Sequence, residues 1–327
     1  MSGRRLLLAL WHKEKMKISG TKVEIVKSPY FRSVAPIDSD YEDSIHSLLI
    51  KGKWNKKIIE FMRERNIKGL YLNVSEGFKC ESLEFLYDLP ELELLNIISP
   101  PLEQLSPIEN LVNLKSLSLS CAWADKIDLS KLKKLEKCFI NYGKGAESVF
   151  ACPSLRYLYI DEFKLKRFSN IENLSQLEFL TIANSNFNST ELFAGLKNVR
   201  KLELLHCRKL DHLDGLGVLT NIEWLTIDGS PKITNIEELS SLSKLRVLQL
   251  SDNKEIETLD PIRQMVHLRA LSFYGNTMIL DGDLSFLEQL PHLSLVGFAG
   301  RRHYTHKPAR SWDWNDYESG RVGVVRK

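Results

Sequence analysis

Two groups of side chains have the residue types that acid–base or metal chemistry needs. His206 follows Glu203 closely and Asp228 comes later, so an imidazole could exchange a proton with a carboxylate. His303 and His306 are separated by two residues, a spacing that can hold a metal ion on a turn. No nearby Cys or further His completes a ligand set. We therefore expect no metal and no cofactor.

The sequence lacks the common catalytic motifs. It contains no G-x-S-x-G elbow and no H-E-x-x-H pair. Gly143-Lys-Gly145 and Gly215-Leu-Gly217 lack the flanking pattern of a phosphate-binding loop. The elements that carry the residues above are short strands of a predicted open sheet, which neither excludes water nor encloses a substrate. We predict that the protein is not an enzyme.

These strands belong to an internal repeat. Each copy has an apolar residue, two variable residues, an apolar residue, one variable residue and an apolar residue. The eleven copies begin at Ile67, Leu92, Leu114, Leu135, Leu155, Leu177, Val199, Ile222, Leu245, Leu268 and Leu293. Successive copies are 20 to 25 residues apart. Such a period indicates stacked units, because one unit cannot bury its own apolar face.

The best copy reads Leu245-Arg-Val-Leu248-Gln-Leu250-Ser-Asp-Asn253. This pattern resembles the leucine-rich repeat superfamily in its short 22-residue class, and is similar to the protein phosphatase regulatory-subunit and internalin types. The resemblance covers residues 67–300. It implies an α/β fold: a right-handed solenoid shaped as a curved horseshoe, with about eleven repeats. A parallel β-sheet would line the concave face, and short helical or 3₁₀ turns would lie on the convex side.

The family's ninth repeat position, an Asn or Cys that caps backbone groups at the turn, is only partly kept. It is present as Cys207, Asn253 and Asn276. Elsewhere the position holds Pro100, Gly143, Phe163, Ser185 or Ser230. We expect irregular turns in the first half.

In this register the third and fifth positions of each copy point from the sheet to the concave side. Aromatic residues gather there over the middle strands, at Phe139, Tyr157, Tyr159, Phe179 and Trp224. Aromatic side chains dominate interface hot spots, which favours a binding surface. The alternative is that they only stack on each other across strands.

An acidic rim is predicted beside this surface, just past the strands. Its members are Asp161, Glu162, His206, Asp228 and Asp252, with Glu203 on the face nearby. Such a rim would steer a basic partner, although a few carboxylates can also be a solvated edge.

Charges alternate in sign at the second repeat position. The row reads Lys68, Glu93, Lys115, Glu136, Arg156, Glu178, Arg200, Glu223, Arg246, Arg269 and Ser294. Stacking would place each charge between opposite charges, so we interpret the row as structural. Alternation fails at Arg246 and Arg269, where two cations are neighbours. Either solvent screens their repulsion, or an acidic group of a partner binds there.

The ends of the chain lack the repeat. Residues 1–44 are a predicted extension with one strand, Lys22–Val26, and either Met1 or Met16 is the start. Residues 45–66 are a predicted helical cap, with Asn55 as its N-cap and Asn66 as its stop. Residues 301–327 are a predicted C-terminal cap or tail. Its aromatic residues, which would cover the last coil or act as a docking peptide, are Trp312, Trp314 and Tyr317.

Composition limits the classes of partner and the compartment that we expect. A net charge of +3 is too small to indicate nucleic-acid binding, and no apolar run is long enough to span a membrane. The five cysteines follow no metal-type spacing, and an odd number of buried thiols favours a reducing compartment. We expect a cytoplasmic monomer.

These observations predict a non-enzymatic protein-binding scaffold whose concave face holds a protein partner. An inhibitor or immunity-type protein that neutralises a bacterial toxin or basic enzyme is the leading specific hypothesis. One alternative is a regulatory or targeting subunit of a phosphatase or other enzyme. Another is a secreted internalin-like effector or adhesin.

Overall fold

A computed structural model of the protein describes residues 14–27, 45–79, 82–164 and 171–308. The chain divides into two compact units, Met1–Val149 and Phe150–Lys327.

The first unit is a sheet whose strands follow one another in chain order. Its described elements are β1 (Glu14–Ile18), β2 (Thr21–Lys27), β3 (His46–Lys51), α1 (Lys57–Glu64), β4 (Gly69–Asn73), β5 (Leu94–Ile98), β6 (Ser116–Ser120) and β7 (Lys137–Asn141). Strands β1, β2 and β3 are antiparallel neighbours, and β3 to β7 run parallel. The predicted strand at Lys22–Val26 therefore forms within β2.

The prediction of a helix over the segment that contains β3 was wrong. Leu48 and Ile50 are buried on one face of the sheet. Ile45 and Leu49 pack on the other face against the cluster that contains Tyr71. Because both faces of β3 are covered, its apolar residues do not alternate cleanly, and the sequence imitates helical spacing.

Helix α1 forms where the apolar spacing predicted it, but with a different start. Asn55 does not cap the helix with its side chain, because its amide donates to the Ile18 carbonyl and to Thr21 Oγ1 at 3.1 Å each. Asn66 ends the helix region as predicted, in the left-handed conformation with φ of 50°. Asparagine is one of the few residue types that adopts this conformation at low cost.

The second unit is built from the later repeats. Its strands are β8 (Tyr157–Asp161), β9 (Phe179–Ala183), β10 (Lys201–Leu205), β11 (Trp224–Asp228), β12 (Val247–Ser251), β13 (Glu255–Ile256), β14 (Ala270–Phe273), β15 (Met278–Ile279) and β16 (Leu295–Phe298). All except β13 and β15 form one parallel sheet in chain order, and those two pair separately. Short 3₁₀ turns connect the strands of both units.

Matching register gives the second unit its core. Leu202, Leu225 and Leu248 occupy the same repeat position on adjacent strands and are fully buried. Equivalent leucines therefore stack under the sheet, and truncating one to alanine typically costs about 2–5 kcal/mol. The predicted architecture of parallel strands and short turns is confirmed.

The charge row at the second repeat position forms ion pairs in both units. In the first unit, Glu93 accepts from Lys68 at 2.7 Å and from Lys115 at 2.8 Å. Hydrogen bonding to Lys115 and Lys68 lowers the pKa of Glu93. In the second unit the Arg156–Glu178 pair is 2.6 Å long. The predicted contacts between neighbouring charges are confirmed at these pairs.

Residues that follow the last repeat pack over its end. Tyr304 contacts the rings of Phe273 and Phe298, and its hydroxyl accepts a hydrogen bond from the backbone N–H of Ile279 at 2.9 Å. The side chains of His303 and His306 hydrogen-bond to the Ile279 carbonyl and to Glu288. The aromatic residues that we expected to act as a cap lie outside the described residues.

The capping role predicted for the ninth repeat position is clearest at Asn253, which is fully buried. Its Oδ1 accepts from the N–H of Ser230 at 2.9 Å, and its Nδ2 donates to the Ile227 carbonyl at 2.7 Å. In the next repeat Thr277, rather than the predicted Asn276, is buried and donates to the Leu250 carbonyl. The prediction for Asn276 was wrong because the chain is displaced by one residue at this turn.

We predict that Asn253→Ala lowers the free energy of unfolding by about 3 kcal/mol, because a buried N–H and a buried carbonyl lose their partners. Asn276→Ala, the matched control, should change it by less than about 0.5 kcal/mol, because this side chain is exposed. Urea titration followed by circular dichroism measures both. Equal losses in the two variants would contradict this assignment.

Candidate functional site

We call the sheet surface formed by the third and fifth repeat positions the 3/5 face. In the second unit its fifth-position row carries mostly polar side chains in register. They are Tyr159, Thr181, Glu203, Thr226, Gln249, Ser272 and Gly297.

Hydrogen bonds join this row from strand to strand. Thr181 Oγ1 donates to Glu203 Oε2 at 2.7 Å, and Thr226 Oγ1 donates to Gln249 Oε1 at 2.7 Å. The indole N–H of Trp224 donates to Thr226 Oγ1 at 3.0 Å. These hydrogen bonds hold the side chains of Thr181, Glu203, Thr226 and Gln249 in place before any ligand arrives.

Lys201 links the two halves of this network. Its ammonium lies 3.1 Å from Glu203 Oε1 and 4.3 Å from the centre of the Trp224 ring. The residue is only 6% exposed. An ion pair and a cation–π contact thus compensate a cation that the strand buries on the 3/5 face.

Three of the aromatic residues that were predicted to form a binding surface are almost completely buried. Tyr157, Phe179 and Trp224 are 5%, 3% and 6% exposed. The first two rings stack with centres 4.6 Å apart, while Trp224 packs against Val247. Neighbouring strands are close enough for large side chains to cover each other, so lateral stacking hides most of their surface.

Tyr159 is the half-buried aromatic residue of the predicted set in the second unit. Burial raises the pKa of its phenol, and the negative charges of Asp161 and Glu203 raise it further. Its hydroxyl therefore stays protonated at neutral pH.

Phe139 belongs to the first unit. It occupies the fifth position of β7, beside Ser118 of β6, and is half-buried. The third position of the same strand is Lys137, whose side chain is almost completely buried. Phe139 is thus on the 3/5 face of its own unit.

The rim of the second unit has an unusual backbone. At the eighth repeat position, six consecutive repeats have φ between 49° and 68°. These residues are Glu162, Asn184, His206, Gly229, Asp252 and Gly275. Non-glycine residues rarely adopt this left-handed region, and such conformations cluster at functional sites. This left-handed turn after each strand fixes the direction in which the rim side chains leave the backbone.

Two glycines make room for the rim side chains. A Cβ on Gly229 would lie 2.3 Å from His206 Nδ1, and one on Gly275 would lie 2.1 Å from Asp252 Oδ1. Both distances are too short for real atoms. His206 and Asp252 therefore each lie over the glycine of the following repeat.

The acidic side chains of the rim differ in how they are compensated. Asp161 Oδ1 accepts from Asn184 Nδ2 at 2.7 Å, and Glu162 lies 3.6 Å from Lys164 Nζ. Asp252 Oδ1 accepts from the backbone N–H of Asn276.

Asp228 is the exception. Its Oδ1 is buried and accepts no hydrogen bond from the described residues. Burial raises the pKa of Asp228, the positive charge of His206 opposes this effect, and the negative charge of Asp252 adds to it. The carboxylate is thus held in a position that disfavours its charge. Such groups are concentrated at functional sites.

Acid–base chemistry receives little support from this geometry. His206 is near enough to Asp228 to influence its charge. Among the described residues no hydrogen bond joins the His206 ring to Glu203 or to Asp228. In the same part of the chain, no group of three or more His, Cys, Asp or Glu side chains could hold a metal ion. The absence of an enzyme activity stays a prediction.

Some residues of the site were not selected from the sequence. Lys201 and Asn184 lie within the site. Neither was selected because a single lysine in a strand, or a single asparagine in the turn after a strand, is common and indicates no function. The signal for Asn184 was the recurrence of His, Asp, Asn and Gly at the eighth position, which are the types that tolerate a positive φ.

No protein-family model matches the chain, and no curated protein matches it. Among solved structures, an internalin (inlF) from Listeria monocytogenes is similar with a TM-score of 0.61 and 22% identity, over 72% of this chain and 68% of that one. Internalin C2 from the same organism has a TM-score of 0.45 and 21% identity, over 58% and 83% of the two chains. The functional domain of InlJ, also from Listeria monocytogenes, gives 0.39 and 15%, over 67% and 54%.

The first of these similarities shows the fold: the chain has the leucine-rich-repeat architecture that the repeat pattern predicted. Within the described part of the chain, no helix has the length and apolar character needed to cross a membrane.

We predict that Asp228→Asn stabilises the protein at pH 7. A carboxyl group with a raised pKa in the folded state binds its proton more tightly there than in the unfolded chain. Its contribution to stability is therefore lost as pH rises through that pKa. The advantage of the variant should shrink as pH falls through the raised pKa and vanish below the ordinary pKa of aspartate. Urea titrations across this range measure the difference, and a variant that is less stable than the wild type at pH 7 would contradict it.

Proposed function

We propose that the protein is a non-enzymatic binding scaffold whose 3/5 face and acidic rim hold a basic segment of a protein partner. The observation that carries the proposal is Asp228, a carboxylate that is partly desolvated, adjacent to Asp252 and short of a hydrogen-bond donor. A lysine or arginine of a partner beside this carboxylate would supply a compensating positive charge. Binding would then recover free energy that the free protein gives up.

The polar network of the 3/5 face supports the same proposal. Its side chains are held by strand-to-strand hydrogen bonds and by Lys201, so a partner meets a surface that needs little ordering. A preorganised surface gains affinity because fewer rotamers are frozen on binding. In this proposal Tyr157, Phe179 and Trp224 pack laterally within the 3/5 face and hold it rigid, while Tyr159, Glu203 and the rim make the contacts.

Within this function we favour an inhibitor or immunity-type protein, because an acidic rim is complementary to a basic enzyme or toxin. A regulatory subunit of a phosphatase or other enzyme is the second candidate, since it too needs a rigid docking surface. A secreted internalin-like effector is the third, and the fold similarity to internalins is its support. Fold similarity alone does not choose among them.

We also propose a reducing compartment, the cytoplasm, and a monomer. Cys121, Cys138, Cys152 and Cys207 are buried free thiols. Burial raises the pKa of Cys121 to about 11 and that of Cys207 to about 12, which keeps both thiols protonated and unreactive. A cleaved N terminus on the mature protein would contradict the cytoplasmic placement.

The test is affinity capture with the wild type and with a Glu203→Gln, Asp228→Asn variant. We expect the variant to retain at most about a tenth of the captured partner, because two buried charge contacts are lost. The matched control is Glu178→Gln, Glu223→Gln. It removes the same number of negative charges from the second-position row and should capture as much partner as the wild type.

The proposal would be contradicted if the wild type enriched no protein over the Glu203→Gln, Asp228→Asn variant. An assay of the captured partner separates the specific roles. Loss of its activity on adding the scaffold identifies an inhibitor, and retained activity with altered substrate choice identifies a regulatory subunit.

A further inference from the structure

A second charged surface lies at the other end of the strands in the second unit, where the strands begin. It is a surface pocket of about 320 Å³. Its lining residues are Glu223, Lys244, Arg246, His267, Arg269 and His292. They come from the second repeat position and from the residue that precedes each repeat, so the pocket is separate from the 3/5 face and its rim.

The pocket forms where the alternating charges of the second-position row end. Glu223 is shared, with Oε1 2.8 Å from Arg200 Nε and Oε2 3.3 Å from an Arg246 terminal nitrogen. The next position is Arg269, and the one after it is Ser294, where the alternation requires a carboxylate. Arg269 consequently has no ion pair among the described residues.

The neighbouring row adds further positive charge. Lys244 Nζ donates to the neutral amide oxygen of Asn221 at 2.7 Å, so its charge is not neutralised there. His267 and His292 follow Lys244 in the same row. The lining thus holds three permanent cations against one carboxylate, and that carboxylate already serves an arginine outside the pocket.

The two arginines are spaced for a ligand with several acceptor oxygens. The N–H of Arg269 donates to the carbonyl of Arg246 at 2.8 Å, which makes the two residues neighbours on adjacent strands. Adjacent strands lie about 4.8 Å apart, so both guanidinium groups can reach one ion between them. A carboxylate is saturated by one arginine fork, whereas a phosphoryl group has three oxygens and nearly two charges to share.

We propose that this pocket binds a phosphoryl group through Arg246 and Arg269, with Lys244 as a third cation. The pocket volume is at the low end of the range for small-ligand sites, which suits one phosphoryl group and a short part of its carrier. Free phosphate and a phosphorylated side chain of a peptide share this chemistry. The site does not depend on the binding function proposed for the 3/5 face.

Calorimetric titration of the full chain tests the proposal with two probes. These are inorganic phosphate and a short uncharged peptide with a single phosphoserine, whose unphosphorylated twin is the blank. Binding of either probe supports the pocket, and the probe that binds more tightly identifies the source of the phosphoryl group. No binding of either up to about 10 mM overturns it, since weaker affinity falls below about 3 kcal/mol.

Two variants locate the site. Arg246→Gln, Arg269→Gln should weaken binding at least tenfold, whereas Lys115→Gln, Arg156→Gln removes paired cations from the same row and should leave binding unchanged. Ser294→Glu completes the alternation beside Arg269 and should also weaken binding at least tenfold, without loss of thermal stability. Wild-type affinity in both Arg246→Gln, Arg269→Gln and Ser294→Glu would overturn the proposal.

Discussion

Register between neighbouring parallel strands is the constraint on which the rest of the structure depends. In each unit, every repeat strand hydrogen-bonds to the next with equivalent repeat positions opposite each other, as in Leu202↔Leu225 and Leu225↔Leu248. A single repeat cannot bury its apolar face, so stability comes from contacts between neighbours. The same constraint that stacks leucines in the core stacks every other column of residues on the surface.

Residues that occupy the same repeat position form interactions across the strands that a single residue could not make. Charges of the second position become shared ion pairs around Glu93 and Glu223. Threonine, glutamate and glutamine of the fifth position become one hydrogen-bonded row. Where the charge alternation of the second position ends, Arg269 is left without an ion pair among the described residues, and at the other end of the strands Asp228 is a desolvated carboxylate. The two ligand sites proposed above are therefore at opposite ends of the strands and would take groups of opposite charge.

Sequence periodicity predicted the repeat strands and the charge pairs because both follow directly from the register. It failed where side chains outside the repeat decide the outcome. Strand β3 was missed because Ile45 and Leu49 are covered on a face that repeats usually leave open. Thr277 replaced Asn276 because the turn is displaced by one residue. Trp224 is buried by Lys201 and Val247, its neighbours in the third-position column, and the register alone does not show how closely their side chains cover the ring.

Cysteine cross-linking across the second-position row tests the register most directly. Arg200→Cys, Glu223→Cys places thiols on adjacent strands, at a separation that a disulfide can bridge, and Arg200→Cys, Arg246→Cys places them about 10 Å apart, beyond its reach. Mild oxidation should link the first pair and leave the second pair free, as measured by mass spectrometry of tryptic peptides. Equal linking of both pairs, or no link in the first, would contradict it.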